Sequence, residues 1–119
     1  MVNAPQTAGG FGLPHGGTAV LEVTSLPGRP GIRARGEISS VTRTPWEEAL
    51  AGLARRHADV SYVELSEVGF VDVAGVAALA VTALGLPGGR VVVEHPPPQV
   101  SRVLSLFWPG LHRIEVSPR

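Results

Sequence analysis

The sequence contains no cysteine and no lysine. The first absence removes disulfides, thiolate metal ligands and cysteine nucleophiles together. The second leaves arginine as the whole basic complement. With so much Ala, Gly, Pro and Val beside it, this reads as the codon bias of a GC-rich genome rather than as selection for guanidinium chemistry. Net charge is missing too: ten acids balance ten bases. Nothing therefore marks a nucleic-acid or anionic-membrane partner. The apolar run after Asp72, Val73 to Leu86, is about fourteen residues, short of the ~20 that cross a bilayer. The N-terminus, MVNAPQTAGGFGLPHGG, lacks the basic region and apolar core of a signal peptide, so direct membrane insertion is not expected and a cytoplasmic location is. Chemical motifs are equally scarce. No Walker pattern, no G-x-S-x-G and no paired acids in a glycine-rich loop occur. "GLPGGR" lacks the Lys-Ser/Thr that grips phosphate and reads as a turn. His15, His57, His95 and His112 are scattered without metal-ligand spacing. They read as solvated or helix-capping residues. No metal, no cofactor and no catalytic residue is expected.

What is present is a single folding unit. A chain of 119 residues has room for one domain. Residues 1–17, rich in Gly and Pro and without periodicity, read as a flexible tail, and 18–119 as the domain. "TAVLEVTS" and "GIRARGEIS" alternate with period two around "LPGRPG", which makes a β-hairpin whose sheet is covered on one face. In "TPWEEALAGLARRH", Thr44 is read as N-cap, Pro45 as the first helical residue and Glu47 as the closing member of a capping box. Trp46, Ala49, Leu50, Leu53 and His57 line one face of that helix. "SYVELSEV" follows as a short strand, then a loop into a helix beginning near Asp72. "GRVVVEH" is another strand and "HRIEVS" the last. Between them "PQVSRVLSLFW" places Val100, Val103, Leu104 and Phe107 on one helical face. The order β-β-α-β-α-β-α-β implies an α/β domain, a mixed sheet with parallel strands joined by right-handed crossovers.

Asp72 is the single acid in "GFVDVAGVAALAVTALGLPGG". Its plainest role is a helix cap. The helix after it carries no charge from Val73 to Leu86, so either its neighbours cover it or an apolar face is left for a partner.

"VELSEVGFVD" followed by "VAGVAALAVTAL" resembles the core of the STAS domain, the family of anti-sigma-factor antagonists and of sulphate-transporter tails. The resemblance runs from about Thr18 to Val116 and includes "GEIS" and "GRVVVEHPPPQVSRVL". It implies a STAS-like fold and a non-catalytic role in protein–protein regulation. The typical motif is Asp-Ser-Ser-Gly, whose second Ser is phosphorylated by a partner that is both anti-sigma factor and serine kinase. The added −1.5 to −2 charges then drive the partner off. Here the motif is Asp72-Val73-Ala74-Gly75, so the phosphorylatable position is Ala74 and the switch is gone; Glu64 stands for the usual Asp upstream, and Ser66 is kept. The resemblance places the partner surface at Asp72, Val73, Ala74, Gly75, Val76 and Leu79, along the exposed helix face to about Thr82, with the loop around Ser39, Ser40 and on to Arg43 nearby, and makes a kinase-type anti-sigma factor the expected partner. A transporter-associated STAS subunit is the alternative, since it needs no switch. The apolar helix face also makes a homodimer conceivable.

Overall fold

The computed structural model describes residues 20–117; the segment 1–17 read as a tail lies outside them. The elements are β1 (Leu21–Ser25), β2 (Gly31–Ile38), α1 (Arg43–Ala54), β3 (Val60–Val71), α2 (Val73–Leu84), β4 (Arg90–Glu94), α3 (Pro98–Phe107) and β5 (Ile114–Ser117). The five strands form one sheet in sequential order, β1 to β5. β1 and β2 are the expected antiparallel hairpin, and every later neighbour pairs in parallel. Crossovers of one hand between strands laid down in sequence put every connecting helix on the same face. α2 accordingly packs between α1 and α3, and the other sheet face stays open.

The core lies between the sheet and the helices. Ile32, Ala34, Ile38, Val63, Leu65, Val91 and Val93 meet Trp46, Leu50, Leu53, Val76, Leu79 and Val100. Arg33, Arg35 and Glu37, the alternate residues of β2, are exposed.

β3 departs from the expected pattern. It runs without a loop to Val71, twelve residues in all. Ile32 pairs with Val63, Arg35 with Glu67 and Ile38 with Val71, with two register shifts between them. β3 therefore carries two more residues than β2 over the paired stretch, as β-bulges do. The buried residues step from Val63 and Leu65 to Val68 and then Val71, which breaks the period of two.

The start of α1 is also corrected. Its N-cap residue is Thr42, two positions before Thr44, and Pro45 falls third in the helix, where its missing N–H costs nothing. The Thr42 hydroxyl makes no helix cap because it is used on the connection: it donates to the Glu37 carbonyl at 2.7 Å and accepts from the Ser39 N–H at 2.9 Å. At the far end, His57 has left the helix with φ of 55° and is exposed rather than on the buried face. Phe107 is 60% exposed. Trp108, next in the chain, packs against the core instead.

Candidate functional site

The junction between β3 and α2 is one residue long: Val71 ends the strand, Asp72 turns, and Val73 begins the helix. Three contacts fix it. The Asp72 N–H donates to the Ile38 carbonyl at 3.0 Å, which continues the pairing with β2. The Asp72 carboxylate accepts from the Gly75 N–H at 2.7 Å, satisfying one of the free donors of the first helical turn. The indole N–H of Trp46, buried in α1, donates to the Gly75 carbonyl at 3.0 Å. Gly75 is required by space. A Cβ there would stand 2.6 Å from Ile38 Cγ2 and 3.0 Å from Val71 Cγ1.

This junction sorts the residues singled out from the sequence. Asp72 and Ala74 are half-buried, Val73 is 54% exposed, and Ser40 is exposed. Ser39 is half-buried, and its hydroxyl oxygen has no hydrogen-bond partner. Gly75, Val76 and Leu79 face inward. Val76 and Leu79 are 0% and 1% exposed, so they hold the helix to the core and offer a partner no surface; their inclusion in the partner surface is corrected. α2 is thus covered on one side and bare on the other. Its inner face is buried, while Val73, Val81 and Leu84 are exposed.

Two apolar residues stand exposed at this end: Val41, within the loop from Ser39 to Arg43 that the resemblance marks, and Phe70, which nothing in the sequence singles out. Val41 is 72% exposed in the β2–α1 connection, and Phe70 is 41% exposed on β3 opposite Glu37. With Val73 they rim the end of the sheet where β2 and β3 finish. Val41 had a signal, a lone aliphatic residue among Ser and Thr in a turn. Phe70 had none, because the bulges conceal its phase.

Beside the junction, α1 and α2 enclose a groove of about 440 Å³. Ala74, Ala77, Ala78, Val81 and Thr82 form the α2 wall, and Arg43, Glu47, Leu50 and Ala51 the α1 side.

A second polar cluster lies on the open sheet face, away from the junction. Glu64 is 5% exposed. Its carboxylate accepts from the Ser66 hydroxyl at 2.9 Å and the Ser66 N–H at 3.2 Å, and contacts His95 Nδ1 at 2.7 Å. Burial pushes the Glu64 carboxyl up, but the bonds from Ser66 and His95 outweigh it and hold it below the ordinary glutamate range. His95 is exposed, as read from the sequence, but it also has a fixed carboxylate partner. It sits at φ 53° just past β4 with its ring against Glu64. Next to it Arg29 makes a two-pronged pair with Glu94 (2.6 and 3.0 Å) and lies 4.3 Å over the Tyr62 ring. Arg35 bridges to Glu67 and Arg90 to Glu115. This face is a set of matched charges.

The sequence matches the family model described as "Mlab, STAS domain" over residues 21–113. The chain belongs to the STAS domain family. Among solved structures it resembles the crystal structure of an anti-sigma factor antagonist from Mycobacterium paratuberculosis, with 25% identity, a TM-score of 0.64, and 90% of this chain and 92% of that one covered. It also shares the fold of the anti-sigma factor antagonist SpoIIAA in its unphosphorylated form, at 18% identity and a TM-score of 0.56, over 82% of this chain and 88% of that one. The comparison with curated proteins returned no match. Among the described residues no helix is long and apolar enough to cross a membrane.

Proposed function

We propose that this chain is a non-catalytic regulatory module of the anti-sigma factor antagonist type, acting in the bacterial cytoplasm. It would bind a kinase-type anti-sigma factor through the start of α2. The observation that carries the reading is the junction itself: a capped helix start with a small residue, Ala74, flanked by exposed Val41, Phe70 and Val73. Desolvating an apolar rim of this kind is what protein interfaces reward at their centre. Because Ala74 has no hydroxyl, the module is not switched by phosphate at that position. Its control would lie in abundance or in competition for the same surface.

Quantitative affinity purification from the native cell, using parent and Ala74→Glu as baits, tests this. Enrichment of a kinase-type anti-sigma factor by the parent, lost with Ala74→Glu, is expected. Equal recovery by both baits would contradict the reading. A second reading, a subunit of a transporter, is favoured by one observation, the absence of any hydroxyl at residues 73 and 74. It predicts enrichment of an ATPase or membrane subunit instead.

A further inference from the structure

The groove between α1 and α2 has features that fit a particular occupant. α1 follows β2 and α2 follows β3, two parallel strands that end level at Ile38 and Val71, so the helices run the same way. Trp46 bonded to Gly75 sets their relative height. Along the α1 rim stand one base and one acid, Arg43 and Glu47, a single helical turn apart. Neither has an ion-pair partner among the described residues. The α2 wall is alanine at 74, 77 and 78 and continues into Val81, 64% exposed, and Thr82.

A base and an acid one turn apart are self-complementary under a two-fold axis passing between them. Arg43 of one copy then meets Glu47 of the other, and the reverse pair forms at once, as an isologous interface requires. Since Trp46 and Gly75 are level, the same axis passes over the first turn of α2. It lays the two α2 helices antiparallel with the first-turn alanines of the two copies facing each other, where small side chains permit close approach. The chain's zero net charge imposes no long-range repulsion between copies. We infer that this groove is the seat of a second copy of the chain, paired two-fold and antiparallel through Arg43, Glu47 and the outer face of α2. The pairing stands on the groove alone. Its consequence, that the dimer hides Ala74 and so masks the partner surface, rests on the function proposed above.

Sedimentation equilibrium on the full chain from about 1 to about 300 μM spans a micromolar-scale association. The parent is expected to dimerise, and Arg43→Glu and Glu47→Arg each to weaken self-association about tenfold or more through juxtaposed like charges. An equimolar mixture of the two variants should recover dimer, because one then carries two acids and the other two bases. The double variant R43E/E47R should dimerise like the parent, and circular dichroism checks that each variant is folded. A parent that stays monomeric across the range overturns the inference. So does a dimer indifferent to either single swap, a folded double variant that is monomeric, or a mixture that fails to recover. None of these results bears on whether an anti-sigma factor binds Ala74, which the bait comparison reads separately.

Discussion

Asp72 and Gly75 keep the β3–α2 turn for different physical reasons, and substitutions separate them. Asp72 acts through a single acceptor oxygen on the Gly75 N–H, a role Asn fills about as well. Asp72→Asn should leave stability nearly unchanged, and Asp72→Ala should lose ~1 kcal/mol in urea melts. Equal losses from both would mean that the negative charge, and not the acceptor, matters. Gly75 acts by being absent. Alanine is the better helix former by about 1 kcal/mol, yet its Cβ would collide with Ile38 and Val71, so Gly75→Ala should cost about 1–3 kcal/mol as an overpacked site does. A stabilised variant would show that the helix start has room to move away from the sheet.

The elements were legible in the sequence wherever one period governed them. The hairpin, α2 and β4 announce themselves by alternation, by an acid before an apolar run, and by Pro and Gly at the ends. β3 was read short because its bulges change the inward step from two residues to three after Leu65, and "EVGFV" then has the texture of a loop. α1 was started late because Thr44-Pro45-x-Glu47 is a good local cap, whereas the Thr42 hydroxyl serves a tertiary bond to Glu37 that no local pattern reveals. The Glu64–His95 pair joins residues 31 apart in sequence, and only the register of β3 with β4 brings them together. That pair has a pH signature. A carboxyl held below its unfolded value stabilises the fold above that value, about 4.3, and the contribution is lost as pH falls through the folded one. The gap in urea midpoint between the parent and Glu64→Gln should therefore be wide near about pH 7 and shrink as the pH is lowered below about 4. A gap independent of pH would mean that the ionised form of Glu64 gains nothing from Ser66 and His95.

At the scale of the molecule, sequential strand order divides the labour. The helices share one face and bury the core, and the open sheet face is closed off by matched ion pairs. The end where β2 and β3 finish carries the exposed apolar residues Val41, Phe70 and Val73 with Ala74, beside the carboxylates of Glu37 and Asp72. The fold class and the position of this end could be read from the order of elements and the Asp72-Val73-Ala74-Gly75 motif. Which residues of α2 face outward could not, because a helix apolar on all sides gives no phase. The central claim is that this rim is the partner surface, and titration calorimetry measures it most directly. The kinase-type anti-sigma factor recovered with the parent chain would be titrated with parent, with Ala74→Glu, and with Gly88→Glu as a control in a distant turn. An acid in the first turn suits the helix dipole, so circular dichroism should find all three folded. Ala74→Glu should bind about thirtyfold more weakly, a loss of ~2 kcal/mol typical of a hot-spot position, while Gly88→Glu binds as the parent does. Equal affinity for Ala74→Glu and the parent would contradict the account.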